Sequence, residues 1–388
     1  MRVLILTPAF SFGEKMMKFV TSGESHGKCL VTVLEGVPAG LVLSASDINN
    51  DLARRQQGYG RGGRMGIERD TAEIVSGVRN GRSTGAPVTL IINNKDWENW
   101  KDRTVPPITL PRPGHADLAG ILKYGLTDIR DVLERASARE TAARVGAGAV
   151  CRKLLKEFGI EIFGYVTELG GIKARPLKVN QRSALTASLL MTADKKAEKA
   201  MIKIIALAKK KGDSVGGVFE VKALGVPPGL GSYTAWANRL DARLAQGLMG
   251  LQAIKGVEIG LGFEAAGRPG SRVHDEIFYG KKGFFRKTNN CGGIEGGMSN
   301  GEDIVVRAAM KPIATLYSPL KSVDIKTKNT GRASVERSDI CAVPAACVTG
   351  EAIMAFELAD AFTDKFGSDC LADIKKSFKA YLKRIRPS

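Results

Sequence analysis

Alternating apolar and polar positions predict β-strands in the first hundred residues. Residues 18–24 and 28–38 carry β-branched side chains in period two, and a sharp turn separates them. Residues 73–94 have the same character around an Asn-Gly pair, which favours a hairpin turn. Residues 44–56 begin with cap-type residues and continue with a helical period, so we expect a helix there.

Helical periods dominate the middle of the chain. Residues 128–158 predict one long helix, with Gly159 as its C-terminal cap. Residues 193–211 predict an amphipathic helix. The first helix carries a stripe of small residues, which predicts close packing against a sheet or a second helix: Ala136, Ala143, Gly146, Ala147 and Gly148.

The remaining pattern alternates between the two periods. Strands are predicted over 161–174, 256–263, 303–309 and 322–326, and at the start of 216–231, which continues into a turn; helices are predicted over 234–254, 345–366 and 370–384. Residues 31–41 and 216–231 both end a strand with Gly-Val-Pro and a turn, which indicates two similar halves. We therefore expect one α/β (α+β) domain over 17–388, with antiparallel-rich sheets around buried helices. Residues 1–16 are interpreted as an N-terminal extension.

Charge narrows the range of partners. The 388-residue chain has a formal net charge of +18, which suits nucleic acid, acidic membrane or a phosphorylated small molecule. The lysine-rich segments 195–211 and 375–386 are typical of solvated helix surfaces. The arginines that lie among glycines are therefore the more informative cations.

Cysteine spacing and hydropathy favour a cytoplasmic protein. The six cysteines show no C-x-x-C pair and no metal-ligand spacing with histidine, so we expect reduced thiols and no metal site. No apolar run approaches the roughly 20 residues of a membrane helix. We therefore expect no membrane partner.

Two of the three histidines lie in glycine-flanked polar segments. TSGESHGK (21–28) places His26 after Ser25, and LPRPGHADL (110–118) places His115 near Arg112 in a loop stiffened by prolines. Histidine changes charge near neutral pH, so either residue could act as a general acid. A capping or turn role is the alternative for each.

Two further segments carry candidate anion-binding chemistry. Residues 53–66 place arginines among glycines, without a Walker A ending or a dinucleotide fingerprint. Arginine there could grip phosphate or carboxylate, or the segment could be a basic surface loop or an RGG-like nucleic-acid site. In residues 335–346, Arg337 and Asp339 would share one face of a strand. They would form a structural ion pair, or the aspartate would be a base.

Taken together, these segments resemble the chorismate synthase family. The resemblance runs in order through TSGESHGK, RRQQGYGRGGRM, PRPGHADLAGILKYG, RDVLERASARETAARVGAGAV, GVEIGLGF, NNCGGIEGGMSNG, MKPIATL and VERSDICAVPAA. It covers nearly all of 17–366. One departure is Gln57, where the bacterial pattern commonly has proline.

The resemblance implies a lyase of the shikimate pathway with a β-α-β sandwich core, assembled as a homotetramer. Such enzymes convert 5-enolpyruvylshikimate 3-phosphate to chorismate by 1,4-anti elimination of phosphate. They require reduced FMN, and NADPH serves only as a source of reducing equivalents.

The resemblance also implies roles for individual residues. His26 would protonate the departing phosphate, His115 would protonate the reduced flavin, and Asp339 would help to take the substrate's proton. Ser25 and Ser137 would hold the geometry. The substrate's anionic groups would be held by Arg55, Arg61, Arg112, Arg139 and Arg337. Flavin contacts would fall on Arg135, Ala136, Ser137, Gln252, Ala253, Gly296, Lys311, Pro312, Ile313, Ala314, Thr315 and Arg337.

Two other function classes remain open from sequence. A flavin-dependent oxidoreductase, or a bifunctional form with intrinsic NADPH:FMN reductase activity, would use the same cofactor pocket. A basic nucleic-acid-binding protein would use the arginine-glycine loop, but it leaves His26, His115 and Asp339 unexplained. His274 is interpreted as a structural residue or as a loop residue near the site.

Overall fold

Strands and helices alternate along the chain in the computed structural model, which describes residues 16–62, 69–177, 179–281 and 283–385. The strands are β1 (Lys18–Ser22), β2 (Cys29–Glu35), β3 (Ala72–Ser76), β4 (Val78–Arg79), β5 (Arg82–Ser83), β6 (Val88–Asn93), β7 (Glu161–Leu169), β8 (Ile172–Lys173), β9 (Gly217–Leu224), β10 (Ile254–Ile259), β11 (Ile277–Gly280), β12 (Gly283–Arg286), β13 (Ile294–Glu295), β14 (Met298–Ser299), β15 (Ile304–Met310), β16 (Lys321–Val323) and β17 (Thr330–Arg332). The α-helices are α1 (Ala45–Gln56), α2 (Asp117–Tyr124), α3 (Ile129–Ala136), α4 (Thr141–Lys156), α5 (Lys195–Lys211), α6 (Leu240–Met249), α7 (Val343–Phe366) and α8 (Leu371–Ile385). Short 3₁₀ segments occupy Lys95–Asn99, Ala138–Glu140, Val179–Ala187, Trp236–Asn238, Gly262–Gly267 and Gly270–Arg272.

The first antiparallel sheet has the strand order β1-β2-β6-β3. On β2, Leu30, Thr32 and Leu34 are buried and alternate with half-buried residues, as period two requires. Val33 pairs with Val20 on one side and with Thr89 on the other. One face of this sheet therefore packs against the interior of the molecule.

The second sheet has the order β10-β15-β9-β7-β8, and its strand pairs are antiparallel as well. Its strand β15, which lies between β10 and β9, alternates strictly, with Ile304, Val306, Ala308 and Met310 buried. β9 pairs with β15 along its whole length, so that Val221 faces Val306. This sheet is also buried on one face.

Helices α4 and α7 lie in the interior and join the two sheets. α4 packs on β2 and on α7, and α7 packs on β7 and β9. α7 is buried along almost its entire length. A Cβ at Gly148 would lie 2.3 Å from Cβ of Ala352, so only glycine permits this approach of the two helices. The predicted fold class and the close packing of the small-residue stripe are both confirmed.

Several predicted elements are confirmed. The helix over 44–56 forms as α1, and the amphipathic helix over 193–211 forms as α5 between Asp194 and Gly212. Asn80 has a φ of +50°, in the tight turn between β4 and β5. The helices predicted over 345–366 and 370–384 form as α7 and α8.

Three predicted elements are wrong. Residues 128–158 do not form one helix, because Ser137 has an extended backbone (φ −62°, ψ 142°) and separates α3 from α4. Residues 234–254 form a 3₁₀ turn and the shorter α6. The strand over 322–326 ends at Val323.

The two predicted halves share one local feature, a glycine turn after a strand, but their overall similarity stays a prediction. Gly36 after β2 and Gly225 after β9 have φ values of +80° and +73°, and at both a Cβ would strike a backbone oxygen. Most of the predicted extension 1–16 lies outside the described residues. Met17 is fully buried, and its backbone N–H donates to Asp360 at 2.7 Å.

All six cysteines are free thiols, as expected. In the part of the chain that the structure describes, no helix has the length and hydrophobicity needed to cross a bilayer.

Candidate active site

A cavity of about 600 Å³ opens where several chain connections meet. Its walls come from the β1–β2 turn, the C-terminus of α1, the α3–α4 break, the α6–β10 turn, the segment after β15 and the start of α7. It brings together the following sequence-predicted residues: Ser25, His26, Arg55, Arg61, Arg112, His115, Ala136, Ser137, Arg139, Gln252, Ala253, Lys311, Ile313, Ala314, Thr315, Arg337 and Asp339. This size is typical of small-molecule sites, which span about 300–1,000 Å³.

Three predicted flavin contacts do not line the cavity of a single chain. Arg135 is exposed and donates to the backbone oxygens of Gly23 and Thr21, at 3.1 and 2.7 Å. Gly296 lies in the turn between β13 and β14, and Pro312 is exposed. Their assignment stays a prediction. His274 lies in a loop, as expected, but it is not among the residues that line the cavity.

At one end of the cavity, Arg55 and Arg139 share the buried carboxylate of Asp70. Arg55 Nη1 lies 3.2 Å and Arg139 Nη1 lies 2.6 Å from its oxygens. Burial lowers the pKa of Arg55 to about 10, and the positive charges of Arg139 and Arg61 act in the same direction against Asp70. Arg139 Nη2 is buried without a hydrogen-bond partner among the described residues. One carboxylate therefore does not satisfy this cluster, which is built to accept an anion.

Arg337 and Asp339 do not pair with each other. Residues 333–339 are irregular rather than a strand, so the two side chains reach different partners. Arg337 Nη2 donates to Asp96 at 2.6 Å, and Asp339 pairs with Arg61 at 2.7 Å. Asp339 also accepts the backbone N–H of Gly62 at 2.6 Å. The carboxylate is thus anchored at the cavity wall by the arginine-glycine loop.

The β1–β2 turn places His26 in the cavity wall. Its Nδ1 lies 2.7 Å from Oε1 of Glu134 on α3. The indole of Trp100 covers the imidazole, with ring centroids 4.2 Å apart. His26 is therefore held from two sides, and its side chain is only 14% exposed.

His115 precedes α2 and belongs to a second network. Its Nδ1 lies 2.5 Å from Asp117, whose oxygens also accept from Arg112 Nε and Nη2 at 2.8 and 2.9 Å. Arg112 Nη1 donates to Thr315 at 2.7 Å. Burial would raise the pKa of Asp117, but hydrogen bonds from Arg112 and His115 hold it well below its usual range. Arg112 thus fixes this corner of the cavity through protein contacts.

The helix break at Ser137 forms part of the cavity wall. Ser137 caps the 3₁₀ turn Ala138–Glu140, and its Oγ accepts the Arg139 N–H at 3.3 Å. An uninterrupted helix would direct Arg139 elsewhere, since side chains follow the helical period. The predicted arginine end of the site therefore depends on this break.

The other end of the cavity combines apolar wall with lysines. Met249 and Leu251 line it, and Ala253 has a strained φ of +66°. Burial, together with nearby Lys255, lowers the pKa of Lys311, whose Nζ donates to Gly114 O at 2.6 Å.

Several site residues were missed from sequence. They are the acidic partners Asp70, Asp96, Asp117 and Glu134, the aromatic cover Trp100, and the second lysine Lys255. Only Asp117 had a local signal, because it follows His115 by two positions within the same motif. Glu134 and His26 are separated by 108 positions, so no spacing could pair them.

A group with metal-ligand chemistry is satisfied by protein donors. Asp275, Cys291 and Glu295 place ligand atoms within 4.8 Å of one another. Asp275 accepts backbone N–H groups of Asn290 and Cys291, and Glu295 pairs with Arg286 at 2.6 Å. Burial raises the pKa of the Cys291 thiol to about 11. The prediction of no metal site stays a prediction.

The charge balance of the cavity favours anions. Among the described lining residues, seven arginines and lysines face only two carboxylates, Glu336 and Asp339. With two histidines in the walls, the α+β fold and this site define an enzyme that acts on a small, multiply anionic molecule.

Comparison with known proteins agrees with that class. The chorismate synthase family model matches residues 17–363. The chain is 56% identical to chorismate synthase of Geotalea uraniireducens, over 96% of this chain and 100% of that protein. It is 54% identical to chorismate synthase of Aquifex aeolicus, over 96% and 99%. A crystal structure of chorismate synthase superposes with a TM-score of 0.78 at 45% identity, covering 95% of this chain and 98% of that one. The chain belongs to the chorismate synthase family.

Proposed function

We propose that the protein converts 5-enolpyruvylshikimate 3-phosphate to chorismate by 1,4-anti elimination of phosphate, and that it requires reduced FMN. The observation that carries the proposal is the meeting of His26 and His115 in one cationic cavity. Membership of the chorismate synthase family supports the same reaction.

The arginines bind and orient the substrate. A molecule with one phosphate and two carboxylates needs several fixed cations, and guanidinium forks match these groups in geometry. Arg55, Arg61 and Arg139 crowd one end, where an added anion relieves their mutual repulsion. Arg337 is half exposed and paired with Asp96, and it would bind an anionic group of the substrate at the solvent side of the cavity. Arg112 lines the cavity within the His115 network and would bind an anionic group of the substrate there.

Protons are handled at three positions. His26 donates a proton to the departing phosphate, which neutralises the leaving group. Asp339, which lies 2.7 Å from Arg61 Nη1, helps to accept the proton that the substrate loses. His115 would hold a proton for the reduced cofactor at the cavity wall. Ser25 holds the turn that carries His26, and Ser137 holds the helix break that directs Arg139.

The far end of the cavity fits a flavin. Its wall is apolar at Met249 and Leu251. The buried Gln252 Oε1 has no hydrogen-bond partner in the described structure, and an N–H group of a heteroaromatic ring would supply one. Gln252, Ala253 and the segment 311–315 would hold the cofactor, with lysines for its phosphate. When bound, reduced flavin supplies electron density as phosphate leaves.

The direct test is phosphate release under strictly anaerobic conditions. Purified protein with photoreduced FMN and 5-enolpyruvylshikimate 3-phosphate should release phosphate and form chorismate. Protein without FMN, and protein with oxidised FMN, are the controls. No turnover with reduced FMN would refute the proposal.

Two single variants test the histidine roles. His26→Ala and His115→Ala should each lower turnover by roughly 10²–10⁴-fold with the fold intact, the usual range for a lost general acid. His274→Ala is the matched control, because His274 lies outside the cavity lining, and it should turn over like the wild type. Near-wild-type rates in both cavity variants would contradict the assignment.

Assembly and cofactor reduction complete the proposal. We expect NADPH to act only through an external reductant, so aerobic NADPH oxidation with FMN should be negligible.

A homotetramer would cover apolar side chains that are exposed in one chain, such as Trp236 (84%) and Phe263 (83%). Light scattering after gel filtration measures that state. Free thiols suit the cytoplasm.

A further inference from the structure

Glu134 holds the β1–β2 turn through three contacts. Its Oε1 lies 2.7 Å from His26 Nδ1, and its Oε2 accepts the His26 backbone N–H at 2.6 Å. Its own backbone oxygen accepts the N–H of Ser25 at 3.0 Å. Both predicted catalytic residues of the turn are therefore fastened to a single residue of α3.

The charge of the Glu134 carboxylate decides which atom carries the proton in its contact with His26 Nδ1. Burial raises the pKa of Glu134, but the hydrogen bonds and charge of His26, with a smaller effect of Arg130, bring it below its usual range. An ionised carboxylate only accepts hydrogen bonds, so Nδ1 of His26 is the donor. Nε2 is then the nitrogen left for the cavity.

The position is rigid as well as charged. The Glu134 side chain is 11% exposed, and Trp100 packs on His26 with an interplanar angle of 36°. Arg130 and Arg103 lie over the other parts of the indole, each 5.4 Å from the ring centroid. The imidazole therefore cannot rotate without breaking the Glu134 contact or displacing Trp100.

The second histidine has a differently compensated partner. Asp117 is bonded to His115 and also forked by Arg112 at 2.8 and 2.9 Å. For Glu134, the nearest guanidinium atom in the described structure is Arg130 Nη1, at 3.9 Å. The negative charge of Glu134 is thus directed mainly at His26, whereas that of Asp117 is shared.

We propose that Glu134 is the positioning residue of His26. It keeps the proton on Nδ1, aims Nε2 into the cavity and stabilises the imidazolium from which a proton is donated. The inference rests on the proposed function, in which His26 protonates the leaving phosphate. Glu134 itself does not touch the substrate.

Histidine scarcity makes the contact directly observable. With three histidines in the chain, ¹⁵N-histidine labelling gives three imidazoles, and His26→Asn assigns one of them. In the full-length protein, His26 should show a protonated Nδ1 with a downfield proton resonance. Glu134→Gln should shift that resonance and leave the His274 signals in place.

Kinetics test the consequence. Glu134→Gln should lower kcat by about 10–100-fold, the usual effect of removing a carboxylate that orients a histidine, with KM nearly unchanged. Glu134→Asp, which keeps the charge, should recover part of the loss. Asp131→Asn removes an exposed charge from the same helix, so it is the matched control and should keep wild-type kcat.

The outcomes are separable. Wild-type kcat in Glu134→Gln, or an unprotonated Nδ1 on His26, overturns the inference. If the wild type releases no phosphate, the proposed function fails while the NMR experiment still decides the contact. If Glu134→Gln does not fold, Glu134→Asp decides, because wild-type kcat and an unchanged resonance there would show that its position is immaterial.

Discussion

Arg54 and Arg55 are neighbours on α1, yet they belong to two ion-pair networks. The two networks differ in how many carboxylates balance their guanidinium groups. Arg54 joins Arg152 around Glu351, in the interior between α1, α4 and α7. Arg55 joins Arg139 around Asp70, at the cavity. The cavity network contains one carboxylate for two guanidinium groups, whereas the interior network has a second carboxylate, Asp51, at 3.0 Å from Arg54 Nη1 and 3.2 Å from Arg152 Nη1.

The interior network is closed in charge, since its two guanidinium groups face two carboxylates, although Arg152 Nε is buried without a hydrogen-bond partner among the described residues. Glu351 accepts two bonds from Arg54 at 2.7 Å each, one from Arg152 at 2.6 Å and the N–H of Gly164 at 2.7 Å. Burial lowers the pKa of Arg54, but the charges of Glu351 and Asp51 outweigh it and raise that pKa above its usual range.

The cavity network is open. Burial and two neighbouring guanidinium groups lower the pKa of Arg55 to about 10, and Arg139 keeps an unpartnered nitrogen. The contrast separates the two uses of buried arginine. A closed network stabilises the fold, whereas an open one stores repulsion that an anionic ligand removes.

The largest effect is expected from opening the closed network. Glu351→Ala should lower the free energy of unfolding by about 3 kcal/mol, because two guanidinium groups lose one of their two carboxylates and the Gly164 N–H loses its acceptor. Urea unfolding measures it. Glu161→Ala, which removes a 57%-exposed carboxylate paired with Arg182, should cost at most about 0.5 kcal/mol. Equal losses in the two variants would contradict the distinction.

The next effect separates the two neighbours by activity. Arg55→Lys keeps the charge but loses the fork to Asp70 and Thr141, so kcat/KM should fall about 10²-fold. Arg54→Lys is the matched control one position away, and its kcat/KM should stay within about threefold of the wild type. Similar falls in both would show that the cavity network is not special.

Local periodicity predicted most elements, because strands and helices each impose their own repeat on buried positions. The break at Ser137 escaped prediction, since ERASARETAARV continues the helical period through it. Tertiary contacts decide that point. Ser137 caps the next turn, and Glu140 accepts from Thr21 at 2.6 Å on the first strand.

The arginines of the site could be predicted, but Asp70, the carboxylate that two of them share, could not. Arg55 and Arg139 belong to motifs with recognisable glycine and serine neighbours. Asp70 lies 69 positions from Arg139 and stands in no such motif. A carboxylate that serves as a partner is defined by the fold that brings it near, so its role is invisible in sequence.

A smaller effect appears in the pH dependence of stability. Burial raises the pKa of Glu351, but Arg152 and Arg54 lower it below its usual value. A carboxylate with a depressed pKa contributes stability above its unfolded pKa, near 4, and that contribution is lost as pH falls through the folded pKa. The stability gap between the wild type and Glu351→Gln should therefore shrink by about 1 kcal/mol between pH 5 and 3. A gap independent of pH in urea titrations would contradict this.

The smallest effect concerns strain at the cavity rather than charge. Ala253 has a φ of +66°, in the left-handed region that favours glycine, and its backbone oxygen accepts the Lys311 N–H at 2.9 Å. Ala253→Gly should raise the free energy of unfolding by about 0.5–1 kcal/mol, because relief of strain exceeds the added entropy of the unfolded chain. Asn80→Gly, at a similar φ of +50° in an exposed hairpin, is the control and should change less, since asparagine tolerates this region. A destabilising effect of Ala253→Gly would contradict this prediction. It would show that contacts of the Ala253 methyl group compensate the backbone strain at the apolar end of the cavity.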